Sequence, residues 1–424
     1  MMTDVRLRIA VVGSGIAGIG AAHLLQRRHE VSLFEKNDYV GGHTHTIVID
    51  DGPDKGTPVD TGFIVLNDRT YPLLMQFLAA LQVPIRKSDM SFSYTCRRTG
   101  LQYASRNLNT LFAQRRNLLR PTFWHFLIEI VRFNVKTRKR LASGALRGLS
   151  LGAYLREEAV IPSLVDSYLI PMAAAIWSTP GARMMDFPAE SFFRFMENHG
   201  LLSVSDQPQW YTVVGGSHAY VKAFLKGFTG RVLSNRPVKR IRRTESGPVL
   251  TFVDGREERC DEVVIATHAD EAIGLLSDPS PEETACLSPW SYNRNTTVLH
   301  TDASFIPENP RARASWNYLR EKDASRVAPV TLTYHMNRLQ GLRTAEDYCV
   351  TLNPGRLAER SRIIRELVYH HPMYTAEAVA TQGSLAKLNG RRHTYFCGSY
   401  FGYGFHEDAL RSGVQVAEAF RIHL

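Results

Sequence analysis

The feature that most constrains this chain lies near its N-terminus. Residues 6–12 (Arg-Leu-Arg-Ile-Ala-Val-Val) form a short apolar run, as expected of a buried parallel strand. Gly13-Ser14-Gly15-Ile16-Ala17-Gly18 follows, with Ala22 and Leu25 at helical spacing behind it. A second strand, Val31–Phe34, ends in Glu35. Strand, GxGxxG loop, helix, strand and terminal acid occur in the order a dinucleotide site requires. Gly13 permits the tight turn, Gly15 lets backbone approach a pyrophosphate, and Gly18 lets the helix pack closely on the strand. The free N–H groups and dipole of the helix N-terminus favour the anion. Glu35 is placed to accept hydrogen bonds from a ribose diol. The expected fold class is therefore α/β, α+β overall, with a Rossmann-like domain on a parallel sheet.

The rest of the chain narrows the chemistry by what it lacks. Cys96, Cys260, Cys286, Cys349 and Cys397 form no CxxC pair, so zinc, iron–sulfur and disulfide frameworks are not expected. There is no second GxGxxG, and no GxSxG or HExxH motif. A bound nucleotide cofactor must then be the redox agent. No leader with a basic start and an apolar core is visible, nor an apolar run of about 18 residues. The expected location is the cytoplasm, possibly peripheral at the inner face of the membrane.

Lys+Arg is 51 against 41 Asp+Glu, a formal net charge of +10. Basic residues crowd the stretch from Arg97 to Arg147, where Glu129 is the only acid. Within it, Pro121 to Phe133 is rich in aromatic and aliphatic residues (Phe123, Trp124, Phe126, Ile128, Val131), and Lys136, Arg138, Lys139 and Arg140 follow. An apolar face flanked by cations is what an anionic membrane attracts; a core helix with a solvated basic end is the alternative. No nucleic-acid-reading motif accompanies the charge, so no nucleic-acid partner is expected.

A second glycine pair follows the acidic strand end, in Glu35-Lys36 to Gly41-Gly42-His43. This resembles the N-terminal signature of the flavin amine oxidase superfamily, which includes amine oxidases, protoporphyrinogen oxidase and carotenoid desaturases. The resemblance implies FAD as the cofactor. His43 stands where the family usually has the Arg that meets the FAD phosphates. Val59-Asp60-Thr61-Gly62-Phe63 looks like the element that passes the flavin, and Val238 like the residue whose backbone meets the adenine. Asp261–Thr267 resembles the strand closing the nucleotide domain. Thr394–Ser399 and Gly402–Asp408 resemble the C-terminal motif, with Gly398 at the ribityl phosphate and the helix N-terminus at Phe405 and His406 facing the flavin. Ser399 replaces the usual acid. The cofactor residues implied are thus Gly13, Ser14, Gly15, Ile16, Ala17, Gly18, Glu35, Lys36, Gly42, His43, Thr61, Gly62, Val238, Gly398, Ser399, Phe405 and His406.

The FAD domain is expected from 1–70, 205–275 and 385–424. Residues 71–204 and 276–384 form a substrate and membrane-facing domain. The first of these insertions reads mainly helical, punctuated by prolines at 72, 84, 121, 162, 171, 180 and 188. The second carries strands near Thr296–Thr301, Ala314–Leu319, Val330–Met336 and Tyr348–Leu352, in a mainly antiparallel sheet.

His300-Thr-Asp302, Ala314–Tyr318, Tyr334–Gln340 and Tyr374–Ala378 resemble a bacterial branch of the superfamily, described as predicted NAD/FAD-binding proteins. That branch includes the flavoprotein desaturase of furan fatty acid synthesis. The resemblance implies oxidation of a methylated, unsaturated fatty acyl chain to a diene, on phospholipid, beside a fatty-acyl methyltransferase as functional partner. A hydride would pass to flavin N5, with reoxidation by oxygen or a quinone. His406 is the first candidate for a catalytic polar group, and His300, His335 and His371 are others. Tyr334 and Trp316 are candidates to shape an acyl tunnel. An amine oxidase, a lipid or carotenoid isomerase and a non-enzymatic lipid-presenting adaptor are the competing readings.

Overall fold

The structure is a computed structural model, and it describes residues 5–177, 184–203, 207–321, 331–354 and 359–424. Five parallel strands form one sheet, in the order Arg231–Leu233, β2 (Glu30–Phe34), β1 (Arg8–Val12), Glu262–Ile265 and Thr394–Phe396. Parallel strands are covered on both faces, which is why Ile9, Ala10, Val11 and Val12 are all buried without alternation. The edge strand Arg231–Leu233 was not foreseen; it is three residues long and largely exposed, so it carries little apolar signal.

Helix α1 (Ile16–Leu25) leaves β1 through the glycine loop and packs on the C-terminal helix, His406–Ala419. The two approach at backbone distance. A Cβ on Gly413 would lie 2.2 Å from the Ala17 carbonyl oxygen, and one on Gly20 would lie 2.5 Å from Leu410 Cδ1. The N-terminus of each helix is thereby held at the same end of the sheet.

A second, seven-stranded sheet stands over this one. Its order is Ile363–Pro372, Tyr292–His300, Cys349–Leu352, Thr331–His335, Trp316–Arg320, Phe92–Cys96 and Gln102–Ala104. Every pairing is antiparallel except that of Trp316–Arg320 with Phe92–Cys96. The four strands read from the sequence are present; Val330 lies outside the described residues. Two departures concern what was not read. Ile363–Pro372 pairs with Tyr292–His300 along nearly its whole length, but Arg365 and Glu366 interrupt its apolar run. Phe92–Cys96 and Gln102–Ala104 come from the stretch expected to be mainly helical. They are short strands, as is Ile85–Lys87 before them, set between the helices Pro72–Ala80 and Leu108–Leu111.

The helices of that stretch do form, and three open on a proline. Pro72, Pro121 and Pro162 sit in the first turns of Pro72–Ala80, Pro121–Ala142 and Pro162–Leu164. There the missing N–H costs no intrahelical bond. Pro180 lies outside the described residues. Phe123, Phe126 and Phe133 of the long helix join Phe92, Tyr94 and Tyr103 of the sheet in one aromatic-rich core.

Candidate active site

The glycine loop takes its shape from its neighbours. Gly13 has φ +102°, and a Cβ there would stand 2.7 Å from the Ala266 carbonyl oxygen. A Cβ on Gly18 would stand 2.0 Å from the Gly13 carbonyl oxygen, so the helix could not sit so close to the strand. At Gly15, the N-cap of α1, nothing lies within 4 Å of the Cβ position. No side chain caps the helix, so its first N–H groups face open space, as an anion site requires.

Glu35 ties this loop to the end of β2. Its Oε2 accepts from Ser14 N at 3.1 Å and Ser14 Oγ at 2.5 Å, and its Oε1 accepts from Asn37 N at 2.9 Å. Oε1 keeps acceptor capacity for a ribose hydroxyl. Lys36 is engaged by an ion pair with Glu271. The second glycine pair packs directly on the loop, since a Cβ on Gly42 would lie 3.1 Å from Gly15 Cα.

All of this borders one cavity of about 1660 Å³. Single small-ligand sites run from about 300 to 1,000 Å³, so this cavity has room for a dinucleotide and a second molecule. Gly13, Ser14, Gly15, Ile16, Ala17, Glu35, Lys36, Gly42, His43, Gly62, Val238, Gly398, Ser399, Phe405 and His406 all line it. Gly18 and Thr61 do not. Gly18 acts through packing, as above. Thr61 is turned away, its hydroxyl donating to the His45 carbonyl at 3.0 Å and meeting Tyr369 OH at 2.8 Å.

His406 opens the C-terminal helix and faces the cavity. Its ring stacks on Phe63 at 3.7 Å between centroids. Its Nε2 lies 2.9 Å from Thr44 Oγ1 and 3.4 Å from Tyr220 OH. Burial, with the charge of His43, pushes it down to about 3. A neutral imidazole clamped in this way suits positioning better than general-base work. His371 also lines the cavity, with Nδ1 2.8 Å from Asn295 Nδ2. His300 and His335 do not. His300 is fully buried in the sheet, its Nε2 2.7 Å from Thr351 Oγ1 and its Nδ1 accepting from Asp302 N. His335 points to Asp347 at 2.9 Å. Trp316 and Tyr334 are in the lining.

His268 lines the site and was not read from the sequence. It joins His43 and His371, both of which were read, with the His268 and His371 ring centroids 5.9 Å and 5.4 Å from that of His43. Burial pushes His43, His268 and His371 down to about 4, 3 and 3, so the imidazoles gathered beside the phosphate loop are neutral. His43 Nε2 has no hydrogen-bond partner among the described residues, which leaves a donor or acceptor for a ligand beside the phosphate loop. Asp60 receives Thr46 Oγ1, Ser217 N and Ser217 Oγ, joining two glycine-containing motifs far apart in sequence. Its neighbourhood in Val59–Phe63 and Gly215–Ser217 was the available signal.

Beyond the nucleotide loops the cavity continues between the second sheet and the helices, past Phe92, Tyr103, Leu127, Ile130, Tyr168 and Trp316. Among the described residues three carboxylates line the whole cavity: Glu35, Asp89 and Glu271. Each is engaged: Glu35 with Ser14, Glu271 with Lys36, and Asp89 with Arg106 and Arg338 at 3.5 and 3.8 Å. No group of metal-ligating side chains placed to hold a metal ion is found among the described residues.

The family model for flavin-containing amine oxidoreductases matches residues 16–334. AofH of Mycobacterium tuberculosis, a flavin-containing monoamine oxidase by name, is 26% identical over 306 residues, 68% of this chain and 63% of AofH. The match thus spans less than two thirds of that relative. Among solved structures, the CLA-producing fatty acid isomerase from P. acnes superposes with TM-score 0.69 at 14% identity, covering 100% of both chains. Cyclohexylamine oxidase from Brevibacterium oxydans superposes with TM-score 0.71 at 16% identity, covering 98% of each. These likenesses carry the fold, and the cradle described above fits the flavin dinucleotide: open helix amides for a diphosphate, a strand-end carboxylate for a ribose, and a second helix N-terminus at Phe405. The cofactor is FAD, and the chain belongs to the family of flavin-containing amine oxidoreductases.

Proposed function

We propose that this protein is an FAD-dependent oxidoreductase that desaturates a fatty acyl chain, namely a methylated, unsaturated chain carried on phospholipid and converted to a diene, as in furan fatty acid synthesis. The observation that carries the reading is the limb of the cavity beyond the nucleotide loops. It is walled by aliphatic and aromatic side chains, and the carboxylates that line the cavity are all engaged. An alkyl chain gains by burial there, at about 25 cal/mol per Å² of apolar surface. A cationic amine would find Asp89 and Glu271 already neutralised by cations and Glu35 turned to the phosphate loop, which leaves little to offset its lost hydration.

The chemistry FAD supplies when bound is acceptance of an electron pair from a C–H bond. The chain's own residues hold the acyl chain extended and exclude water. His406, clamped by Phe63 and Thr44, fixes the polar edge of the site. The fold alone does not choose the substrate, since it also serves a fatty acid isomerase and a cyclohexylamine oxidase.

Incubation with methyl-branched monounsaturated phospholipid in air, followed by mass spectrometry of the acyl chains, tests the reading. Desaturation removes two hydrogens per chain and creates a conjugated or skipped diene. An unchanged mass with a moved double bond would assign an isomerase, and an unchanged lipid would reject the substrate class.

A further inference from the structure

The helix Pro121–Ala142 has two apolar faces, and only one is covered. Phe123, Phe126, Phe133 and Leu141 are buried. Trp124, Ile128, Val131 and Val135 recur at i, i+4, i+7 and i+11, which places them together on another face. They are between 43% and 50% exposed. The patch extends beyond the helix. Trp124 Nε1 donates to the Leu118 carbonyl at 3.0 Å, fastening the indole to the turn that carries Leu119, itself 89% exposed. Leu108, on the neighbouring short helix, is 74% exposed. Contiguous exposed groups of this size mark a contact surface.

The charge around the patch is selective. Seven cations between Arg97 and Arg147 are matched by carboxylates, mostly from other segments. They are Arg97 with Glu321, Arg106 with Asp89, Arg132 with Glu129, Lys136 with Glu158, Arg138 with Glu197, Arg140 with Glu157, and Arg147 with Glu190. Arg98, Arg115, Arg116, Arg120 and Lys139 have no ion-pair partner among the described residues. Arg115, Arg116 and Arg120 lie at the start of the apolar stripe, and Lys139 lies one turn past Val135 at its end. Compensation in the fold thus leaves cations unpaired at both ends of the uncovered apolar face.

The cavity reaches the surface at this patch. Leu108 and Val131 are exposed and also line the cavity, and Leu111, Leu127 and Ile130 continue the lining inward. We propose that this face docks on an anionic phospholipid bilayer, with the cavity mouth set against it. An acyl chain then passes from the bilayer into the cavity over Leu108 and Val131 without crossing water. The proposal rests on the acyl-chain reading of the cavity for its purpose, but the contact itself is measured without turnover.

The flavin-loaded protein is sedimented with vesicles of phosphatidylcholine alone and of phosphatidylcholine mixed with phosphatidylglycerol. Binding is expected with the mixed vesicles, weaker at high salt and weaker still with neutral ones. Leu119→Glu combined with Ile128→Glu, neither of which lines the cavity, is expected to weaken binding at least about tenfold. Flavin content and thermal midpoint should match the parent, because both side chains are exposed. Arg116→Ala with Arg120→Ala and Lys139→Ala is expected to abolish the preference for anionic vesicles. Absence of vesicle binding, or binding that neither variant changes, overturns the proposal. A dimer in solution that the Leu119→Glu, Ile128→Glu variant dissociates assigns the patch to a second copy and overturns it too. Vesicle binding by a protein that oxidises no acyl chain keeps the surface and removes the substrate.

Discussion

At Tyr374 a buried hydroxyl borders the cavity with no hydrogen-bond partner among the described residues. It sits against Gly404, where a Cβ would come within 2.8 Å of the phenolic oxygen. An unpartnered buried hydroxyl contributes nothing to stability, so Tyr374→Phe is expected to leave the thermal midpoint unchanged or raised. If the hydroxyl addresses bound substrate, the same variant slows substrate oxidation while keeping FAD; unfolding and single-turnover measurements separate the two. Residues of this kind were illegible in the sequence, because an aromatic in a loop looks like core. The phosphate loop was legible because each of its glycines answers a local demand that strand, turn and helix already imply. Thr61 was misjudged for the converse reason. Its motif suggested a ligand contact, but its hydroxyl is committed to His45 and Tyr369.

Among the elements, the strand Val238–Thr244 is fastened to the helix Pro281–Leu287 by one buried charge network. Arg243 donates to both carboxylate oxygens of Glu283, at 2.5 and 2.9 Å, and to Asp278. Arg243 and Glu283 side chains are almost inaccessible. Arg243→Met is expected to cost about 3–5 kcal/mol in chemical denaturation by stranding Glu283, and Glu283→Met added to it should recover most of that loss. A smaller loss in the single variant than in the double would contradict the assignment. The same scale shows where sequence patterns mislead. Strand-like stretches in the sequence matched four strands of the upper sheet, yet Ile363–Pro372 was hidden by Arg365 and Glu366 on its half-exposed edge. Phe92–Cys96 lies in a stretch whose overall pattern reads helical, and its parallel partner, Trp316–Arg320, lies more than 200 residues away. Pairing over such a distance is set by tertiary packing, not by local propensity.

For the whole molecule, the buried histidines set the response to acid. Burial pushes His43 and His199 down to about 4, and His268, His371 and His406 to about 3. Each is neutral in the fold and protonates in the unfolded chain below about 6.5, so the unfolded state binds more protons as pH falls. Their stability contribution is intact above 6.5 and lost progressively toward 4, on the order of 1 kcal/mol per histidine per pH unit. Asp60, pushed up to about 6 by burial, has the opposite sign, favouring the fold in acid and losing that as pH rises through 6. Burial pushes Glu262, Asp270, Glu407 and Asp408 up in the same sense as Asp60, and pushes His23, His45, His218 and His335 down in the same sense as the other five histidines. The imidazoles outnumber the carboxylates, so the thermal midpoint is expected to fall as pH drops from neutrality through 6; a flat profile would contradict this balance. His43, His199, His268, His371 and His406 line the cavity, whose nucleotide limb and apolar limb together underlie the acyl-chain proposal. The most direct test is anaerobic mixing of the flavin-loaded protein with methyl-branched monounsaturated phospholipid, and separately with primary amines, while following the flavin absorbance. The expected result is bleaching by the lipid, with diene formed in step, and no bleaching by amines. Bleaching by amines with a stable yellow spectrum in lipid would contradict the acyl-chain account.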